Sequence, residues 1–314
     1  MPACEMTRVI TLEPKVSAGD SGLASPTELT PMNSQCHLQR LHLQSPQASA
    51  MAHFYATTFG MTCHEVRGVW YCQHEGREVL VSQGHAGKLH YALFVIQHQA
   101  AWEAFQTQTS HLPTANLEGY PELPSSALGF SDPDQNCMVF VLASELNTTT
   151  KTAEEQAQAP TLPPAATQHF ALRTQQIEAM KEFYTEGLGL TLSDVVKDDA
   201  GELKACFVRG NDMHHTVALF GAPVTCFDHQ SFETPDWAAL KSWADHMGHL
   251  RTEIVWGVGR HGPGNDVFFM VRDPDGNLAE ISSEIEICDD TRPVGQWRHE
   301  ERTLNLWGKA IMRS

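Results

Sequence analysis

The sequence predicts an α+β protein of four βαβββ modules, two in each of two domains with curled mixed sheets. Two observations predict it. A strand, a helix and a glycine stop recur along the chain, with Phe54-Tyr55 matching Phe183-Tyr184 at an offset of 129 and Asp132-Pro133-Asp134 matching Asp273-Pro274-Asp275 at an offset of 141. Between the halves, Ser144 to Thr167 has no apolar periodicity and ends Pro-rich, as a linker would.

Residues 1–34 are rich in Ser, Thr, Pro and Gly and read as a flexible leader, with Val9 to Leu12 as a candidate edge strand. The leader lacks an apolar core segment and carries Glu5, Glu13, Asp20 and Glu28, which speaks against a signal or transit peptide. The first domain, 35–143, opens with the strand-like HLQRLHL. Pro46 then starts a helix through Met51, Phe54 and Phe59 that Gly60 ends. Strands are expected near Met61 to Val66, Val69 to Gln73 and Glu78 to Ser82. The second module has the strand LHYALFVI, a helix through Trp102 and Phe105, and MVFVL after the Asp132-Pro133-Asp134 turn.

After the linker, 144–167, the second domain, 168–288, repeats the plan. HFAL begins a strand, Ile177, Met180, Phe183 and Tyr184 line a helix, and Gly187 and Gly189 stop it. Strands near Leu203 to Arg209 and His214 to Phe220 follow. The fourth module has the strand DHQSFET, a helix from Trp237 to Met247 and a hairpin from Arg260 to Ile281. The tail, 289–314, places Trp297, Leu304, Leu306 and Trp307 among charges, as a lid or as a cover for a sheet edge.

Composition narrows the function. The chain has 314 residues, 41% hydrophobic and 19% charged, without an apolar run approaching a membrane span. A formal net charge of -17 repels phosphate backbones and anionic bilayers, so neither nucleic acid nor membrane is an expected partner. Eight cysteines are scattered without a CxxC pair, the pattern of reduced thiols in a cytoplasmic protein.

Seventeen histidines put some near any chosen point, so position within the repeat is the useful filter. His169 and His229 begin the first strands of the third and fourth modules, and Glu280 lies in the last strand of the fourth. On the period of two, Glu280 shares a face with Leu278 and Ser282; inward, its charge needs compensation, and outward, it is an ordinary solvated Glu. In the first half the corresponding places hold Arg40, His90 or a neighbour, and Val139. Two imidazoles and one carboxylate leave coordination positions open, which suits non-haem Fe(II), with Mn(II) as the alternative.

The motifs RHGPGN, DPDGNLAE, HHTVAL and HFAL resemble those of type I extradiol ring-cleaving dioxygenases, catechol 2,3-dioxygenase-like members of the vicinal oxygen chelate (glyoxalase/bleomycin resistance) superfamily. The resemblance spans roughly Leu38 to Glu284. It implies two vicinal-oxygen-chelate domains, the C-terminal one holding metal on His169, His229 and Glu280. It also implies His215 as acid/base, His261 as a second catalytic histidine at the substrate's entry side, and His214 and Met270 as substrate contacts. The residues themselves leave open which of His214 and His215 points inward, and whether His261 is only an exposed turn cap. Met270 departs from the family pattern, which commonly has a tyrosine ten residues before the glutamate; a thioether donates no hydrogen bond.

The implied activity is cleavage of a small aromatic diol beside the diol by O2, in the breakdown of aromatic compounds, by a homo-oligomer. Two alternatives use the same scaffold: a metal-dependent isomerase, lyase or hydrolase, and a small-molecule sequestering protein.

Overall fold

The computed structural model describes residues 35–146 and 162–312. The leader and most of the expected linker lie outside them. Two sheets form. The first has the order β2-β3-β4-β1-β5-β7-β6, from β1 (Cys36–Ser45), β2 (Thr62–Val66), β3 (Val69–His74), β4 (Arg77–Gln83), β5 (Lys88–Ile96), β6 (Leu128–Ser131) and β7 (Cys137–Leu142). The second has the order β13-β14-β15-β12-β8-β11-β10-β9-β16. Its strands are β8 (Ala166–Thr174), β9 (Thr191–Lys197), β10 (Leu203–Arg209), β11 (Val217–Gly221), β12 (Cys226–Glu233), β13 (Ile254–Arg260), β14 (Val267–Arg272), β15 (Leu278–Ser283) and β16 (Gly295–Arg298).

The repeat is visible in the packing. The first helix, Ala48–Phe59, ends at Gly60 with φ 64°, and Gly189 takes φ 75° at the matching place, a left-handed geometry that costs glycine little. Ahead of the first helix of each half a glutamine reaches across the molecule to the other half's Asp-Pro-Asp turn. Gln47 donates to Asp275 Oδ1 at 3.0 Å, and Gln176 to Asp134 Oδ1 at 2.7 Å. Thus the first module docks on the fourth and the third on the second. Each turn is braced alike, Asn136 Nδ2 donating to Asp132 and Asn277 Nδ2 to Asp273, both at 2.9 Å.

The second module departs from the expected pattern, with two strands rather than three after its helix, Gln99–Thr109. Pro113, Pro121 and Pro124 remove ladder donors, and 112–127 runs irregularly, packing Leu117, Tyr120 and Leu123 against Tyr91 and Val139 of the first sheet.

In the second sheet, alternation separates two apolar layers. Phe170, Leu172, Val217, Leu219, Phe269 and Ile281 enter a core shared with the first half, where Phe59 meets Phe232 at 5.1 Å between ring centroids. Ala171, Phe207, Ala218, Phe220, Phe268 and Met270 point to the opposite, concave face. The tail lies partly there. β16 pairs parallel with β9, covering that edge, and Leu304 packs on the concave face. No helix among the described residues is long and apolar enough to cross a membrane.

Candidate metal centre

Strands β8, β12 and β15 are neighbours at the middle of the second sheet, and each sends one side chain to the concave face. His169 and His229 are each the fourth residue of their strand, rather than its first as the sequence suggested. Ser231 of β12 pairs with both His169 and Glu280, so all three lie in one band. His169 Nε2 is 3.2 Å from His229 Nε2; Glu280 Oε2 lies 3.4 Å from the former and 3.5 Å from the latter. All three residues are buried, and Glu280 is 0% exposed.

The other ring nitrogens settle the tautomers. His169 Nδ1 donates to Gln168 Oε1 at 2.8 Å and His229 Nδ1 to Asp228 Oδ1 at 2.6 Å. With both protons directed outward, two imidazole lone pairs and a carboxylate converge without a donor among them, and neither Glu280 oxygen has a hydrogen-bond partner. An ion held by right-angled bonds of about 2.1 Å would separate its donor atoms by about 3 Å. The residues fit a divalent cation. Burial alone would raise the Glu280 pKa, but His169 and His261 draw it well below the usual carboxylate range. Burial lowers His169 to about 4, against the pull of Glu280.

Neither Gln168 nor Asp228 was singled out from the sequence, although each immediately precedes its histidine. Adjacent strand residues normally point to opposite faces. Asp228 reaches His229 because the β8–β12 register shifts between Phe227 and His229, a bulge of the kind found beside functional sites.

Above the trio is a cavity with about 360 Å³ of atom-free space, part of it open to solvent. His169, His229, His215, His261 and Met270 line it with Phe207, Ala218, Phe220, Trp256, Pro263 and Leu304. His214 and His215 precede β11 instead of lying in it, because the chain leaves the strand path before Val217. His215 therefore does not share the face of Val217 and Leu219; it lies on the cavity side with Ala218 and Phe220. Burial, reinforced by neighbouring histidines, holds its pKa well below the ordinary value, so the imidazole is neutral.

His214 does not line the cavity. It stands 3.1 Å from Asp194 Oδ2, and its Nδ1 is 3.0 Å from His215 Nδ1. Asp194 also accepts from Trp297 Nε1 at 2.6 Å and pairs with Arg292 at 2.8 Å, joining the tail to His215 through His214.

His261 lies in the loop, stacked on Phe268 at 3.7 Å, its Nδ1 donating to Leu304 O at 2.6 Å and its Nε2 3.4 Å from Glu280 Oε1. It is far from an exposed turn cap. Burial works against its charge, but Glu280 and Asp266 raise its pKa overall. Asp266, also missed from the sequence, is fully buried with both oxygens unpartnered, and burial lifts it to about 7. Met270 is the direct register partner of Glu280 and is 0% exposed.

The first sheet shows the trio's places filled otherwise. Leu93 pairs with Arg40 and Val139 as Ser231 pairs with His169 and Glu280, so the counterpart of His229 is Tyr91, the neighbour of His90. Glu122, from the irregular stretch, accepts from Tyr91 at 3.0 Å and lies 3.6 Å from His42 Nδ1. A carboxylate thus sits on this face, and among the described residues no metal-ligand cluster forms in the first half.

Comparisons agree with the fold. The family model described as Glyoxalase/Bleomycin resistance protein/Dioxygenase superfamily matches residues 166–281. Metapyrocatechase 2 of Cupriavidus necator is 27% identical over 201 residues, 59% of this chain and 62% of that protein. Biphenyl-2,3-diol 1,2-dioxygenase 3 of Rhodococcus globerulus is 30% identical over 125 residues, 36% of this chain and 60% of that one. The chain spans about three fifths of the length of these relatives. Among solved structures, a mutant of homoprotocatechuate 2,3-dioxygenase from Brevibacterium fuscum has a TM-score of 0.74 at 21% identity, covering 91% of this chain and 82% of that one. A Mn(II)-bound glyoxalase from Novosphingobium aromaticivorans has a TM-score of 0.69 at 20% identity, covering 88% and 91%. Residues 166–281 thus form a domain of the Glyoxalase/Bleomycin resistance protein/Dioxygenase superfamily.

Proposed function

We propose that the protein is a non-haem Fe(II) extradiol dioxygenase that opens the ring of an aromatic diol beside the diol with O2. The observation that carries this reading is the convergence of His169 Nε2, His229 Nε2 and Glu280 Oε2 at 3.2–3.5 Å beneath a cavity that also holds His215 and His261. His169, His229 and Glu280 would hold Fe(II), which would supply Lewis acidity toward the diol and electron transfer to O2; Mn(II) suits the same donors.

The chain's own residues supply orientation and proton handling. His215, neutral and on the cavity wall, takes a proton from a diol hydroxyl and returns one later. His261, held by Leu304 O and by stacking on Phe268, forms part of the cavity wall with its Nε2 3.4 Å from Glu280 Oε1, where it orients the substrate. Phe207, Phe220 and Trp256 exclude water from the ring.

Anaerobic protein given Fe(II), then a panel of catechols, then air should yield a yellow ring-opened product. Silence across the panel would sink the reading. Met270 favours a second one, a metal-dependent isomerase, lyase or hydrolase, because the residue opposite Glu280 on β14 carries a thioether in place of a hydroxyl that could assist oxygen chemistry. Substrate turnover without oxygen uptake at an electrode would select it. Self-association belongs to the same proposal and is read by light scattering.

A further inference from the structure

Two cross-strand rows lead away from the trio on the concave face. One runs from Glu280 through Met270 to Trp256, consecutive register partners on β15, β14 and β13. The other runs from His229 through Ala171 and Ala218 to Phe207 on β12, β8, β11 and β10. The alanines leave room beside the trio. The first row ends two strand spacings, about 10 Å, from Glu280.

Everything these rows offer beyond the trio and its histidines is hydrocarbon or thioether. Trp256 turns its indole N–H to Lys309 O at 3.1 Å, away from this role, and Leu304 and Pro263 complete the wall. Among the described residues, no lysine or arginine lines the cavity. A substrate carboxylate would enter with no lysine or arginine to pair with, His261 being already turned to Glu280 Oε1 at 3.4 Å, in a protein whose net charge of -17 repels it.

Resting on the dioxygenase reading, we propose that the diol taken by this cavity is uncharged apart from its hydroxyls and carries an apolar ring substituent, seated against Met270 and Trp256. An alkyl or aryl group fills that end of the cavity and removes water from Trp256. A carboxylate there would lose its hydration without replacement.

The test is calorimetric titration of anaerobic, Fe(II)-loaded protein with methylcatechol, phenylcatechol and protocatechuate, followed by admission of air. The apolar diols should bind at least about tenfold more tightly than the carboxylated one. Trp256→Phe should keep that ranking, and Trp256→Arg, which adds a cation to the wall, should narrow or invert it. Equal or tighter binding of protocatechuate to the unsubstituted protein would overturn the proposal. Binding of none of the three would overturn it together with the dioxygenase reading. Selective binding of the apolar diols without ring opening in air would uphold the proposal and remove only the ring-cleavage reading.

Discussion

His169 and His229 face each other through unprotonated Nε2 atoms 3.2 Å apart, because Gln168 and Asp228 hold the Nδ1 protons on the far side of each ring. Adding the Glu280 carboxylate makes a buried pocket of acceptors, which is costly unless a cation occupies it. The protein should therefore bind one equivalent of Fe(II) or Mn(II) at this site, measured by elemental analysis after anaerobic loading, and Glu280→Gln should bind far less. An ion supplied at 100 times its Kd would add about 2.7 kcal/mol to stability, visible as a fall in Tm on chelation. An unchanged Tm with and without chelator would count against the site.

The bonds from Gln168 and Asp228 give a second expectation. They fix ring orientation and raise ligand basicity, so Gln168→Leu and Asp228→Ala should each weaken metal affinity by about 10–100-fold in chelator competition while leaving the ligands in place. Asp228 also accepts from Arg173 Nε at 2.5 Å, so Arg173→Ala should produce a smaller loss in the same direction. Affinity equal to that of the parent in all three variants would remove these residues from the site.

His215 should separate chemistry from metal binding. It lines the cavity without joining the trio, so His215→Ala is expected to retain metal and lose about 10²–10⁴-fold in turnover. His214→Gln should cost less, since His214 touches His215 and not the cavity; its effect should fall on kcat more than on KM. Loss of bound metal in His215→Ala would mean that the histidine supports the trio itself.

Much of this was legible from residues alone, for physical reasons. Strand alternation and glycine stops are local, so the modules could be read, and the repeat offsets then brought His169, His229 and Glu280 to matched places. Other features depend on departures from local pattern. The bulge at Asp228 lets a residue expected on the far face reach His229, and the chain's exit from the strand path at His214 and His215 reverses which of their neighbours share a face. Asp194 and Leu304 come to the site only through long-range packing, whereas Asp266 directly follows the RHGPGN motif and accepts from His261 N through its carbonyl, a local signal that the sequence carries. The prolines of 112–127 were a visible signal against a third strand in the second module, while the placing of Glu122 opposite Tyr91 was not.

Asp194 supplies a prediction about acid stability. Burial would raise its pKa, but His214, Arg292 and Trp297 outweigh burial and set it below the ordinary 3.8. A carboxyl whose folded pKa is depressed contributes its full stabilisation above the unfolded value and loses it as pH falls through the folded one. The contribution of Asp194 should thus be complete at neutral pH, begin to fade below about pH 4 and vanish in stronger acid. Because the same carboxylate accepts from Gly295 N and Trp297 Nε1, β16 and the tail should loosen first. Asp194→Asn should have a lower Tm than the parent at pH 7, and the difference should shrink on acidification as the parent's carboxylate becomes protonated. Thermal denaturation of both proteins across that range, followed by tryptophan fluorescence, measures this directly. Parallel curves with a constant gap would show that the Asp194 charge does not hold the tail against the sheet.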